Sequence, residues 1–498
     1  MFVAVCCGVS RCSPMSLICH ESVRNGDHFQ RWAEKRLRGS VQEVSKSFEL
    51  RHSDALGVHA VARSAISAGD LIIAEDALLR ILPLKDAARR LLERFGDLEG
   101  FLQPALGVDW GSTDKEVREA ALELFYAHPI TERRSQESAH ITACEELLQM
   151  WPPLRATGWS PAQLLRFLHI VDLNIHKDER PSHAEFTGIF VLGSKFSHSC
   201  EPNASWSFDQ RGRLQYGAIR PIAAGEVLTF SYVGNGMNLI TSTLVRRQRL
   251  ATLCFICRCE RCKGPDLARP LPCPRCRGEC LPCYPDQDES GFGIHGSRCD
   301  AIEDAVLWRC TGCEAQVPAS ELPLQAEAEL AELVPQVMQA PPDSASEDAE
   351  KLSKLRVKAA KALGPGHWAC FLATFAWLQK CLVCLRNEPV ITFSEAELHA
   401  ASVEVARWLE VVTPKNVEQR LCALFMAARL ARQLGGGVRS WGYDPECPLG
   451  EELQAATRTE LRGWELKEDC VVGPEVPQAN FKRLKSLPSG PPFLSRWV

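Results

Sequence analysis

The residues best equipped for chemistry fall into three blocks. The first is KFSHSCEPN, Lys195 to Asn203, whose Ser, His, Cys, Pro and Asn make it too polar and turn-rich for a buried core strand. The second is GEVLTFSY, Gly225 to Tyr232, and the third is CFICRCERC, Cys254 to Cys262. Cys257-x-Cys259-x-x-Cys262 offers three thiols, and a closed zinc site takes four ligands. The fourth must come from elsewhere, and Cys200, Cys254 and Cys273 are the candidates. Cys273-x-x-Cys276 and Cys310-x-x-Cys313 form a pair of knuckles of the zinc-ribbon kind, in which four thiolates enclose one ion. Cys280, Cys283, His295 and Cys299 lie between the knuckles as alternative ligands, and Trp308 suits a short supporting strand. Four thiolates leave no open position for water, so both sites read as structural.

The elements that must position these blocks follow from apolar spacing. Glu49 to Leu84 alternates apolar and polar residues in short bursts, with turns at Gly57 and at Ala68-Gly69-Asp70, which predicts strands including Leu71–Glu75 and Leu78–Leu82. From Lys85 the spacing becomes helical. Ala87, Leu91, Leu92 and Phe95 share one face; Val117, Ala121, Leu122 and Phe125 a second; Leu147, Leu148 and Trp151 a third; Leu164, Leu165, Leu168 and Val171 a fourth. Pro152-Pro153 and Ser160-Pro161 break and restart these helices. Strands return at Phe186–Leu192, Asn203–Phe208, Leu214–Ile219 and Val227–Tyr232, with a hairpin turn at Asp209–Gly212. Thr241–Leu253 reads as a helix with a basic face. After the cysteine-rich stretch, helices are expected at 322–338, 349–362, 367–386, 394–411 and 415–434, stacked as antiparallel pairs. Another helix is expected near Phe29–Lys46. Cys381-x-x-Cys384 falls inside an apolar helix and reads as core.

Bulk properties narrow the function classes. A chain of 498 residues calls for two or three domains. A net charge of −5 gives no electrostatic footprint for direct nucleic-acid binding. No apolar run is long enough to cross a bilayer, and MFVAVCCGV lacks the charged region of an export signal. Of 23 cysteines, twelve lie between Cys200 and Cys313. In a reducing compartment that clustering points to metal ligands rather than disulfides. Cys6, Cys7, Cys12 and Cys19 follow no zinc spacing and belong to a flexible leader.

HSCEPN, GEVLTFSY and FICRCERC, in that order and spacing, resemble a SET-domain protein lysine methyltransferase with its post-SET zinc loop. LGVHAVARSAISAGDLIIAE resembles the first strands of that fold. The helical insertion, RRQRLATLCFICRCERC and the helical C-terminal part are similar to the SET–MYND branch and its relatives. By motif the resemblance spans roughly residues 50–265. It implies S-adenosylmethionine as cofactor, a protein lysine as acceptor, and a pseudoknot that threads the HSC segment beside the carboxyl strand.

Residue by residue, the resemblance implies that Gly57, Asn174, Ser197 and His198 bind the cofactor, that Phe255 packs on its adenine, and that Tyr232 is catalytic. It makes Cys200 the fourth zinc ligand with Cys257, Cys259 and Cys262, while Cys273, Cys276, Cys310 and Cys313 hold the second zinc. The chain departs from the family at Ser197, where asparagine is usual, and at Ala55 and Leu56 in the glycine turn. Leu253 stands where close relatives place a tyrosine. The insertion lacks a MYND finger, Cys144 being its only cysteine.

The expected fold class is α+β: a β-rich SET fold with helical insertion and pseudoknot, a post-SET zinc loop, a zinc ribbon and a helical, TPR-like C-terminal domain. The expected division is leader 1–46, SET N-terminal part 47–84, helical insertion 85–175, SET C-terminal part 176–253, post-SET loop 254–265, zinc-ribbon module 266–320, helical domain 321–445 and tail 446–498. The expected function is methyl transfer from S-adenosylmethionine to lysine side chains of histone or non-histone proteins. The alternative is a catalytically weak or inactive SET scaffold for protein–protein interaction. The protein is expected to be a monomer in the cytoplasm, the nucleus or both, without membrane or direct nucleic-acid partners.

Overall fold

The computed structural model describes residues 47–53, 56–124, 134–177, 187–209, 211–233, 237–251, 253, 257–284, 306–338, 345–387 and 394–414. The expected helix near Phe29–Lys46, the expected helix at 415–434 and the tail lie outside these residues. The chain divides into two compact units. The first comprises residues 1–198, 203–230 and 253–255; the second comprises 199–202, 231–252 and 256–498.

In the first unit, β1 (Phe48–Ser53) and β2 (Gly57–Ala62) form an antiparallel hairpin in register from Phe48↔Ala62 to Ser53↔Gly57. The chain re-enters β2 at φ +61° on Gly57, a left-handed conformation that glycine adopts without a Cβ penalty. β3 (Leu71–Glu75), β8 (Ala204–Phe208) and β9 (Leu214–Ala218) form an antiparallel sheet in the order β3-β9-β8. The β8–β9 turn falls where the sequence predicts it. Asp209 Oδ1 accepts the N–H groups of Arg211 and Arg213 at 2.9 Å each, with Gly212 at φ +73°. Inside, Phe196 stacks on Tyr216 with centroids 4.1 Å apart, among Phe48, Leu50, Ile72 and Phe190.

Three strands are shorter than the apolar pattern suggests. Leu78–Leu82, Phe186–Leu192 and Val227–Tyr232 contract to β4 (Leu79–Arg80), β6 (Gly188–Ile189) and β10 (Thr229–Phe230). After β6 the chain enters a 3-10 turn at Gly193–Lys195, so Phe190, Val191 and Leu192 are buried by packing without pairing as a strand. β6 pairs antiparallel with both β4 and β5 (Ile175–His176), giving the order β4-β6-β5. Gly188 is required there, because a Cβ would meet the Leu79 carbonyl oxygen at 2.6 Å.

Between β4 and β5 run α1 (Asp86–Leu92), a 3-10 turn (Glu93–Leu98), α2 (Glu99–Gly107), α3 (Lys115–Leu122), α4 (Arg134–Met150), α5 (Pro152–Arg155) and α6 (Pro161–Asn174). α6 starts as its sequence predicts. Ser160 accepts the Gln163 N–H, Gln163 returns a bond to the Ser160 N–H, and Pro161 occupies the first turn. The predicted face of α1 is shifted by one residue, since Ala88 is buried and Ala87 exposed. Leu164, Leu165, Leu168 and Val171 are buried as expected. Phe125 lies outside the described residues.

In the second unit the helix expected over Thr241–Leu253 is α8 (Thr243–Ala251), and a short helix not expected from the sequence, α7 (Met237–Ile240), precedes it. The break is at Ser242, whose hydroxyl accepts the Val245 N–H. After α9 (Glu260–Lys263), β11 (Leu271–Pro272), β12 (Glu279–Cys283), β13 (Leu307–Cys310) and β14 (Gln316–Val317) form a four-stranded antiparallel sheet. The helices α10 (Leu324–Met338), α11 (Ala345–Leu363), α12 (Trp368–Asn387) and α13 (Glu395–Val412) follow. Their ends fall within a few residues of the expected ones. Gly364 at φ +86° ends α11.

The sheet and the helices share one core, in which Leu271, Cys280, Trp308 and Val317 cluster with Leu352, Trp377, Leu398 and Leu409. Arg269 forks onto Glu327 with two 2.7 Å bonds, and His367 and Trp368 also reach Glu327. Cys381 and Cys384 are buried in α12, as expected. Among the described residues, no helix is long and apolar enough to cross a membrane.

Candidate functional site

The HSC block enters the first unit as β7 (Ser197–His198), which pairs in parallel with β10 in the register Thr229↔Ser197 and Phe230↔His198. The Ser197 N–H donates to the Leu228 carbonyl at 3.0 Å, and the Leu228 N–H donates to the Ala60 carbonyl at 2.9 Å. Val61 also bridges Val227. The carboxyl segment 227–230 therefore lies between β2, which Gly57 begins, and β7, which carries Ser197 and His198. Ser197 and His198 are both buried. A Cβ on Gly57 would meet no heavy atom within 4 Å, so the backbone there faces open space.

Asn174 is the last residue of α6 and is buried. Its Nδ2 donates to the Ile170 carbonyl at 2.7 Å, which fixes the side chain at the helix end. Next along β5, His176 Nε2 lies 2.7 Å from the Tyr216 hydroxyl, and its ring stacks on Phe230. Burial pulls the His176 pKa down to about 4, so the imidazole is neutral near pH 7.

The turn before β7 is held by Glu75. Its two carboxyl oxygens accept the N–H groups of Leu192 and Gly193, each at 2.9 Å. Burial raises the Glu75 carboxyl to about 7 and lowers the Lys195 ammonium to about 8, while the two charges favour each other.

Tyr232 follows β10 by two residues and belongs to the second unit. It is half-buried, and desolvation pushes its phenol well above the usual range, so it keeps its proton at neutral pH. Phe255 lies outside the described residues, as do Ala55, Cys254, His295 and Cys299.

Both cysteine groups sit in the second unit. Cys200, Cys257, Cys259 and Cys262 bring their Sγ atoms within 4.8 Å of one another, and so do Cys273, Cys276, Cys310 and Cys313. In the first group Cys200 lies 3.9 Å from Cys257 and 3.5 Å from Cys262. In the second, Cys273–Cys313 is 3.9 Å and Cys276–Cys310 is 3.4 Å. These are too long for disulfides. A zinc–sulfur bond of about 2.3 Å gives tetrahedral edges of about 3.8 Å, so the donor sets fit a tetrathiolate metal centre.

The backbone of the second group directs donors at its sulfurs. The N–H groups of Arg275, Gly278 and Gly312 point at Sγ atoms at 3.3 to 3.4 Å. Arg277 and Glu314, each directly after the last cysteine of a knuckle, take left-handed φ of 62° and 57°. Cys280 and Cys283 do not join this tetrad, and Cys273 belongs to it rather than to the first. Cys280 is buried across the β12–β13 ladder from Cys310, and desolvation raises its thiol to about 12.

Residues 57–233 match the SET domain family. The chain thus carries a SET domain, the domain of the SET-domain protein lysine methyltransferases. The chain is 38% identical over 81 residues to a SET domain-containing protein of Acanthamoeba polyphaga mimivirus, covering 16% of this chain and 30% of that protein. It is 39% identical over 79 residues to the histone-lysine N-methyltransferase SMYD3 of Mus musculus, covering 16% of this chain and 18% of that protein. Less than a third of these curated relatives is therefore spanned. The SET domain of LSMT, solved bound to lysine and AdoHcy, aligns over 92% of this chain and 99% of that chain. Identity there is 14% and the TM-score 0.31, a superposition too loose to transfer any residue.

Within this SET domain, sequence reasoning overlooked the residues that hold the site together. Glu75 could have been noticed as an acid closing an otherwise apolar strand, LIIAE. Asn203 belongs to the HSCEPN block, but its type alone does not reveal its partners. His176 and Tyr216, forty residues apart, carry no sequence signal of their pairing.

Proposed function

We propose that this chain transfers methyl groups from S-adenosylmethionine to lysine side chains of proteins, histone or non-histone. The observation that carries the reading is the parallel pairing of Ser197–His198 with Thr229–Phe230 inside the SET span, with Gly57 opening the strand on the other side of that segment. Such a parallel crossing supports the pseudoknot expected from the motifs.

In this reading the left-handed backbone at Gly57, its open side, and Ser197, His198 and Asn174 bind the cofactor, with Phe255 against its adenine. Bound S-adenosylmethionine would supply an electrophilic methyl group on a sulfonium. A desolvated channel favours the neutral form of an incoming lysine amine, the form able to attack. Tyr232, held as a neutral phenol, orients that amine through its hydroxyl, and alignment supplies much of the rate gain. The cysteine tetrads each hold one structural zinc, which ties Cys200 to the post-SET loop and closes the ribbon of residues 266–320. We read 47–84 and 176–253 as the two SET parts, 85–175 as the insertion and 321–445 as the helical domain.

Ser197, shorter than the asparagine the family places before the histidine, favours a second reading as a weakly active scaffold. Calorimetric titration of zinc-loaded protein with S-adenosylmethionine tests the proposal. Saturable binding that weakens at least about tenfold in His198→Ala supports it, a factor worth about 1.4 kcal/mol. Absence of binding by the wild-type protein contradicts it and favours the scaffold.

A further inference from the structure

Three arginines surround the first cysteine tetrad, all within the second unit. Arg246 is completely buried. Its Nη2 donates to Cys262 Sγ at 3.8 Å and to Thr243 Oγ1 at 2.9 Å, and its Nη1 donates to the Thr241 carbonyl. Arg261 Nη1 donates to the Cys200 carbonyl at 3.2 Å and to the Leu239 carbonyl at 2.5 Å. Arg247 Nη2 donates to the Cys262 carbonyl at 2.8 Å. Two of the four ligand residues, Cys200 and Cys262, are thus held by guanidinium groups from α8 and α9.

Burying a guanidinium is expensive unless an opposite charge and hydrogen bonds compensate it. Compensation from the protein is incomplete. Asp266 is buried and acts on Arg246 and Arg261, but its Oδ2 is engaged by the Thr243 N–H at 2.6 Å. Among the described residues, the buried Arg246 Nε and Arg261 Nη2 have no hydrogen-bond partner. Four thiolates around a divalent ion carry a net charge of −2, the sign and size that two buried guanidiniums lack.

We infer that Arg246, supported by Arg261, is the charge-compensating and positioning residue of the metal centre at Cys200, Cys257, Cys259 and Cys262. It locks α8 to the metal through the Cys262 sulfur. This rests on the zinc reading of that tetrad. Among the described residues, the hydrogen bonds that reach the second tetrad's sulfurs from outside it come from backbone N–H groups, so this tetrad serves as an internal reference.

The test uses the full-length, zinc-loaded protein and follows zinc release to the chromophoric chelator 4-(2-pyridylazo)resorcinol. Partner groups around metal ligands typically contribute about 10- to 100-fold to metal affinity. Arg246→Met should therefore release one zinc equivalent about 10-fold faster or more, with the other unchanged. Arg246→Lys, which keeps the charge but not the fork, should fall between Met and wild type. In cobalt-loaded protein the sulfur-to-cobalt charge-transfer band of that site should shift in Arg246→Met.

Wild-type release rates in both variants with an unmoved cobalt band would overturn the inference. If Arg246→Met does not fold, the Lys variant decides alone, and wild-type rates in it count against the role. Cys257→Ser separates this failure from failure of the zinc reading. It should hold one equivalent fewer than wild type, and equal zinc content would remove the site and the inference together.

Discussion

Asn203 and Thr229 are joined through backbone and side chain at once. The Asn203 N–H donates to the Thr229 carbonyl at 3.2 Å, and Asn203 Oδ1 accepts the Thr229 N–H at 2.7 Å. Asn203 Nδ2 donates to the Val227 carbonyl at 2.9 Å and to Glu226 Oε1 at 3.0 Å. One buried amide therefore clamps the end of the HSCEPN block to the carboxyl segment on which β7 lies.

Asn203→Ala should destabilise the protein by about 1–3 kcal/mol, because it leaves the partly buried Thr229 N–H and Val227 carbonyl without this partner. Chemical denaturation measures the loss. Cofactor affinity should fall with it, since β7 is registered by the same segment.

His176 and Tyr216 predict a pH dependence. The His176 pKa is about 4 in the folded protein and about 6.5 unfolded, so between those values the unfolded chain binds more protons. Stability is full above about pH 6.5 and is lost as pH falls toward 4. His176→Phe should flatten that acid limb but leave the buried Tyr216 hydroxyl without its 2.7 Å partner, a loss of about 1–3 kcal/mol. Adding Tyr216→Phe should restore much of it. Melting curves from pH 4 to 8 on the three variants check the pattern.

The cysteines give a test by substitution. Cys276→Ser should lose one zinc equivalent and lower the melting temperature, because the ribbon strands share their core with α10 to α13. Cys280→Ser should keep both equivalents, since Cys280 lies outside the tetrad. Metal analysis of the purified variants gives the answer.

Much of this arrangement was legible in the sequence, for a physical reason in each case. Cysteine spacing marked the second tetrad and three members of the first, because neighbouring ligands must lie a few residues apart to reach one ion, whereas Cys200 was assigned only by the family resemblance. Ser160-Pro161 marked the start of α6 because capping chemistry is local. Strand ends were not legible. Val191 and Leu192 are as apolar as any strand residue, but the N–H groups of Leu192 and Gly193 at the entry to the 3-10 turn are taken by Glu75, more than a hundred residues earlier. The shared core of ribbon and helices, and the arginines around Cys262, likewise depend on residues far apart in the chain.

Tyr232 carries the catalytic claim. Tyr232→Phe keeps the ring and removes the hydroxyl, so S-adenosylmethionine binding should persist while turnover falls about 10²-fold or more, the scale for losing one aligned polar group. Paired binding and single-turnover measurements separate the two effects.

The most direct measurement is transfer of labelled methyl groups from S-adenosylmethionine into a protein extract by the zinc-loaded chain, with the modified residues mapped by mass spectrometry. The account predicts label on lysine side chains with wild-type protein and a loss of that label with Tyr232→Phe. Label that is absent with wild type, lies on residues other than lysine, or is equal in the Tyr232→Phe variant would contradict it.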